Sequence, residues 1–240
     1  MPTSPDILEA DFADDKAMIA SNPDHTHATH TLQLHLHKLE EWCHLWKVQI
    51  NQQKSQHITF TLRRLTCPPI YFNNIPIPQT DEVQYLGMTF DRRLTWKPHI
   101  HRKRITLNKR LKLLTHLLCY SSKLQLKQRL NIYTYLLKPI WAYGSQIYGT
   151  AKRMNIERIQ QFQSKTLRLI TKAPPYESNL TIHTDLDIPF VHSQIKQYYT
   201  KFYHNTNGHT NPLIHLISTT HFNDTTQRRL KRSWMRDLLM

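Results

Sequence analysis

Glycine is nearly missing from this chain: four occur in 240 residues, against thirteen prolines. A loop that cradles phosphate needs glycines close together, where the backbone can turn freely and approach the ligand, so nucleotide hydrolysis of the P-loop kind is excluded. Phosphate chemistry here would have to run on metal and basic side chains. Cysteine is as scarce. Cys43, Cys67 and Cys119 are far apart and odd in number, which argues against a disulfide framework and for a reducing compartment. No apolar run nears the roughly 18 residues of a membrane helix, and the first residues lack a basic start followed by an apolar core. The chain therefore reads as soluble, intracellular and without a membrane partner, with cytoplasm and nucleus both open.

Acid is the residue class missing from the middle. Between Arg92 and Lys172, nineteen Lys and Arg face one acid, Glu157, a net of +18 that leaves the remainder at −3. The cations come in runs mixed with apolar residues: Trp96-Lys97, His101-Arg102-Lys103-Arg104, Lys109-Arg110-Leu111-Lys112 and Ser164-Lys165-Thr166-Leu167-Arg168. Such a field releases counterions from a phosphate backbone and binds nucleic acid without sequence preference. A basic run is often only a solvated face, but nineteen against one favours nucleic acid over that and over an anionic membrane. The sixteen histidines, His25-x-His27-x-x-His30 among them, are read as an exposed polar tract, because no cysteine flanks them at a zinc-site spacing.

With 39% hydrophobic residues the chain can fill a core. Apolar runs from Asp6 to Phe12 and Ala17 to Ala20 flank a tight reversal. Leu32, Leu36, Leu39, Cys43 and Trp46 then recur at helical spacing, with Trp42 and Leu45 widening the greasy stripe, and Asn51 to Gln53 end the helix. Gln56 to Leu62 alternates as a strand, Ile70 to Ile77 reads as a hairpin turning on Asn73-Asn74, and Val83 to Phe90 as a further strand. Helical patterns cover 105–118, 124–137, 140–148, 156–170 and 191–203. The expected class is α+β: hairpin, helix and short strands over 1–91, basic helices over 92–150, a helical region over 151–204, and a polar linker with a short basic helix over 205–240.

The reversal carries the acidic pair of Phe12-Ala13-Asp14-Asp15. Adjacent carboxylates repel and resist full ionisation unless a divalent cation shares their charge, so the pair suits a hard metal, although Asp at a turn is also ordinary. Lys54 begins an expected strand just after the long helix, at a helix-to-strand corner where lysine is commonly only solvated. Gly87, in Tyr85-Leu86-Gly87, falls inside an expected strand and marks either a bulge or a close backbone approach.

In order, Phe12-Ala13-Asp14-Asp15, the amphipathic helix, Asn51 to Ser55, Tyr85-Leu86-Gly87 and Leu94-Thr95-Trp96-Lys97 resemble the later palm motifs and thumb of a jockey-type non-LTR retrotransposon reverse transcriptase. Lys138 to Gly144, Phe162 to Arg168, Ala173-Pro174-Pro175-Tyr176 and Asn211-Pro212-Leu213 resemble the segments that follow in that family. The resemblance spans essentially the whole chain. It implies RNA-directed DNA synthesis by two-metal nucleotidyl transfer, with Mg2+ as cofactor and dNTPs, an RNA template and a DNA primer as partners. Asp14 would bind catalytic magnesium together with an Asp on an earlier strand, with Asp15 in support. Lys54 would lie near nucleotide phosphates, and Tyr85, Leu86 and Gly87 would grip the primer end. Lys97, Arg102, Lys103, Arg104, Lys109, Arg110, Lys112, Lys165 and Arg168 would hold the template and primer duplex.

The chain opens about ten residues ahead of Phe12, so the fingers, the strand with the earlier Asp and the family's N-terminal endonuclease are expected outside it. Lys16 also departs from the family, which usually has a small hydroxyl residue there, and a cation beside the pair would partly replace a metal. The expectation is a C-terminal piece of the polymerase that does not synthesise DNA alone, with its missing half as one candidate partner. A nucleic-acid-binding remnant and a decayed genomic copy are the alternatives.

Overall fold

The two N-terminal apolar runs pair antiparallel as β1 (Ile7–Phe12) and β2 (Asp15–Ala20), joined by the two-residue loop Ala13-Asp14. The computed structural model describes residues 1–63, 67–211 and 214, and divides into two units, Met1–Leu94 and Thr95–Met240. The class is α+β. Among the described residues no helix is long and apolar enough to cross a membrane.

In the first unit, Asp24 starts helix α1 (His25–Trp46) by accepting the Thr26 amide on its carboxylate, and Lys47 ends it in a left-handed conformation. Leu32, Leu36, Leu39 and Cys43 form its buried stripe. They pack with Ile7, Met18 and Ala20 of the first hairpin and with Ile70 and Phe72. Leu45 and Trp46 do not extend the stripe as expected; both are exposed, because they fall past the last turn that the hairpins cover. Strands β3 (Ile70–Phe72) and β4 (Ile75–Ile77) turn on Asn73-Asn74, both at positive φ, as expected. Gln33 of α1 holds this hairpin, its side-chain amide donating to the Tyr71 carbonyl (3.0 Å) and its oxygen accepting the Tyr71 amide (2.8 Å).

Two strand expectations fail. Gln56 to Leu62 forms only one bridge, His57 to Gln79, and otherwise runs irregularly beside residues 78–80. Val83 to Phe90 is not one strand but a hairpin, β5 (Glu82–Tyr85) and β6 (Met88–Asp91). Consecutive positive φ values at Leu86 (47°) and Gly87 (72°) reverse the chain, so the glycine marks a tight turn.

In the second unit, α2 (Lys97–Leu118) packs along α6 (Arg153–Thr171). Ile100, Leu107, Leu111 and Leu118 meet a core that includes Ile159, Phe162, Leu167 and Ile170. Between them run α3 (Leu126–Ile132), a π-helical turn (Tyr133–Leu137), α4 (Lys138–Ala142) and α5 (Ser145–Tyr148). Pro139 explains the π turn: its ring crowds the carbonyl four residues back, and the wider turn, with the Lys138 amide reaching Tyr133, relieves the clash. The expected helix over 140–148 is split at Gly144, which sits at φ 70°. A short helix not foreseen in the sequence, α7 (Asn179–Asp185), starts from the Ser178 hydroxyl, and α8 (Val191–Thr206) follows. The expected basic helix at 228–239 lies outside the described residues.

Burial holds His99 down at about 4, with Lys103 and Arg102 nearby adding to the effect. Its value is lowered on folding, so the unfolded chain binds the proton first and stability falls as the pH drops from about 6.5 to 4. The loss approaches about 3 kcal/mol at the acid end. Urea unfolding of His99→Leu and of the native sequence should therefore shift in the variant's favour by that order across this window. A constant difference between them would place the acid sensitivity elsewhere.

Candidate metal turn and nucleic-acid interface

The acidic pair stands where the chain reverses. Ala13 takes the left-handed φ (54°), Asp14 completes the loop, and Asp15 opens β2 opposite Phe12. Both aspartates are exposed. Side chains alternate across a hairpin, so Asp15 shares a face with Leu8, Phe12 and Ile19, and the opposite face carries Ile7, Glu9, Asp11, Lys16 and Met18. The second face sits on α1. The first is bare: Leu8 is 68% exposed and Phe12 62%.

Lys16 does not stand beside the aspartate pair as the sequence suggested. Its amine turns to the opposite face, where it bonds Glu9 and lies 3.1 Å from Asp11 Oδ1. His35 of α1, fully buried, brings Nε2 within 2.9 Å of the other Glu9 oxygen. Burial opposes the charge on Lys16, but the hydrogen bonds it donates to Glu9 and Asp11 outweigh it and the ammonium is held above its usual range. These four residues clamp the hairpin to the helix. The sequence did contain the signal, because a two-residue loop at 13–14 dictates that Asp11 faces Lys16.

Among the described residues, no group of three or more His, Cys, Asp or Glu side chains is arranged to hold a metal. Two-metal transfer needs carboxylates that converge from separate strands. Asp14 and Asp15 are neighbours on one turn, and the nearby acids Glu9 and Asp11 are committed to Lys16. The donor set therefore does not fit a two-metal centre.

Tyr85 is brought to this hairpin, its hydroxyl donating to the Ala10 carbonyl of β1 (3.1 Å). Leu86 and Gly87 form the turn next to it. Lys54 is exposed in the turn after α1, its amide donating to the Asn51 carbonyl at 3.2 Å.

The basic residues of the second unit fall into two groups. Lys97, Arg102, Lys109, Arg110, Lys112 and Lys165 are exposed on α2 and α6. Arg102, Lys109 and Lys112 recur near the helical repeat on the side of α2 away from Ile100, Leu107 and Leu111. Lys103 is different. It is buried, its amine donating to the Ile140 carbonyl (2.7 Å) and lying over the Tyr143 and Tyr148 rings, and burial pulls it down to about 8. Arg104 is half-buried over Phe162 and donates to Asn108. Arg168 is spent on a loop, donating to the carbonyls of Pro174 (3.0 Å) and Glu177 (2.6 Å) and to Asn179 Oδ1 (3.1 Å). These three were expected among the duplex contacts, but their donors are turned to the protein because helix periodicity places them toward the core and the neighbouring loop.

No family model matches the chain, and no solved structure matches it. Known proteins do. It is 35% identical over 230 residues to the probable RNA-directed DNA polymerase from transposon X-element of Drosophila melanogaster, covering 96% of this chain and 25% of that protein. It is 32% identical over 238 residues to the RNA-directed DNA polymerase from mobile element jockey of the same fly, covering 97% and 26%. A third relative, the probable RNA-directed DNA polymerase from transposon BS, is 34% identical over 197 residues, 81% of this chain and 22% of that protein. The chain thus spans about a quarter of the length of the relatives it matches.

A left-handed leucine costs about 1–2 kcal/mol, and such strain persists where a neighbouring requirement holds it. Replacing Leu86 with Asn, which accepts this conformation, should stabilise the chain by about 1 kcal/mol in denaturant unfolding. A destabilised variant would show that the Leu86 side chain contributes more packing than its backbone costs.

Proposed function

This chain is homologous to part of the jockey-type RNA-directed DNA polymerases of non-LTR retrotransposons, and from that premise we propose that it is the portion of such an enzyme that holds nucleic acid, without making DNA by itself. In this reading Asp14 and Asp15 are half of a polymerase metal site. Lys54 lies toward the incoming nucleotide's phosphates, and Tyr85, Leu86 and Gly87 toward the primer end. The observation that carries it is the division of cations in the second unit: six of the nine expected contact residues are exposed on two helices in a stretch with a single acid.

That field works without metal. Exposed Lys and Arg on α2 and α6 displace counterions from the phosphates of an RNA template and DNA primer duplex, which gives affinity without base readout. Catalysis needs further carboxylates, which the rest of a complete polymerase would supply.

Two measurements test the proposal. With an RNA template, DNA primer, dNTPs and Mg2+, the isolated chain should not extend the primer; robust extension abolished by Asp14→Ala would overturn the inactive reading. Binding to an RNA/DNA duplex should weaken with salt, log affinity against log salt sloping near −5 if about five or six phosphates are contacted. Substituting Lys109 and Lys112 together with Ala should flatten that slope by about two. Absent or salt-insensitive binding would end the nucleic-acid reading.

A further inference from the structure

The segment Ala173-Pro174-Pro175-Tyr176 has no part in the function above, yet Arg168 spends three hydrogen bonds on the loop that carries it. Lys172 closes α6 in a left-handed conformation (φ 58°). The next residues are then fixed by the Arg168 guanidinium, which reaches the carbonyls on both sides of Tyr176, at Pro174 and Glu177. Two successive prolines stiffen the same stretch. The outcome is unusual for an aromatic ring: Tyr176 is 87% exposed. An exposed tyrosine on a slack loop could fold onto the nearest apolar surface, whereas this one is kept out of reach of it.

A second loop meets this end of α6. Lys172 Nζ lies 4.0 Å from the ring centre of Tyr120, itself 54% exposed, in the connection between α2 and α3. Lys123 and Lys127, just beyond it, are exposed as well. The only acid of the 172–177 loop, Glu177, has its carboxylate accepting the Ser178 amide. Two outward aromatics and their flanking cations, on two adjacent loops, are the elements of a surface that takes flat rings joined by phosphates.

We propose that Tyr176, with Tyr120 and Lys172, forms a stacking platform for an unpaired nucleotide at the C-terminal end of α6. A base lies on the Tyr176 ring, and the phosphates of its strand meet Lys172, Lys123 of the Tyr120 loop and Lys127 at the start of α3. Arg168 is a positioning residue: it presents the tyrosine and does not itself touch the strand. The proposal rests on the reading that this chain binds nucleic acid and adds which form, a single strand, this end of the unit takes. Stacking is blind to the sugar, so RNA and DNA strands both fit the chemistry.

The test compares the full chain with Tyr176→Ala and Tyr176→Phe on three fluorescein-labelled probes: oligo(U), oligo(dT) and an RNA/DNA duplex. Tyr176→Ala should weaken binding of the single strands by about tenfold or more, the loss of one stacked base, and leave the duplex unchanged. Tyr176→Phe should retain native affinity. Because no ionic contact is removed, the salt slope should not move. A loss on oligo(U) alone would assign the platform to RNA, and a loss on both to unpaired strands in general. Native single-strand affinity in Tyr176→Ala, or an equal loss on the duplex, would overturn the platform while leaving the chain a nucleic-acid binder. If the native chain binds none of the probes, the platform and the wider reading fall together.

Discussion

Everything in the first unit depends on the two-residue period of the β1–β2 hairpin. Side chains in a strand point alternately to opposite faces, so the loop at Ala13-Asp14 fixes every residue's side at once. Ile7, Met18 and Ala20 go to the helix, and the Lys16 ion pairs with Glu9 and Asp11 go with them, Glu9 lying against His35. Leu8, Phe12 and Ile19 go to the other side and remain exposed. The acidic pair stands at the tip between a clamped face and a bare one. A one-residue slip would send Glu9 and Lys16 to the exposed side and strand His35 without them. The network therefore does more for register than for net stability, since partly buried ion pairs return little beyond their desolvation.

The second unit rests on a different constraint, the cost of burying charge. Lys103 sits inside because the Ile140 carbonyl and two tyrosine faces receive it, while burial lowers its proton affinity. Trp141 and Tyr148 close the same region, the Tyr148 hydroxyl donating to the Trp141 carbonyl. Burial alone drives the Tyr148 hydroxyl far above its usual proton affinity. Packed polar groups of this kind tie α2 to the π turn and α4, which lets the opposite side of α2 carry cations without apolar support.

Much of this was legible in the sequence, and the rest was not for identifiable reasons. The α1 stripe, the Asn73-Asn74 turn and the basic helices announced themselves by period and turn chemistry. The β5–β6 turn did not, because Leu86 is a residue that avoids positive φ, and a run from Val83 to Phe90 with one internal glycine looks like a strand until two consecutive residues are seen to turn left-handed. Lys16 was misplaced by sequence adjacency to Asp15, whereas alternation puts neighbours on opposite faces. For Lys103, Arg104 and Arg168, a basic run shows charge but not which side of the helix faces the core; only the buried pattern decides that, Ile100, Leu107 and Leu111 on α2 and Phe162, Leu167 and Ile170 on α6.

The distinction between spent and exposed cations sets how many donors such a unit can offer an outside anion. Net charge treats every Lys and Arg alike, yet a guanidinium with its donors on two carbonyls and an amide, as in Arg168, has few left for a phosphate. Its contribution is geometric: it fixes the backbone that holds Tyr176 outward. Arg suits this task where Lys would not, because its planar fork can reach several acceptors at set angles. An Arg168→Lys exchange conserves charge and long-range attraction while releasing the loop, so it separates the two ways in which a cation can serve binding. Affinity that comes from the field would survive it, and affinity that comes from a positioned ring would not.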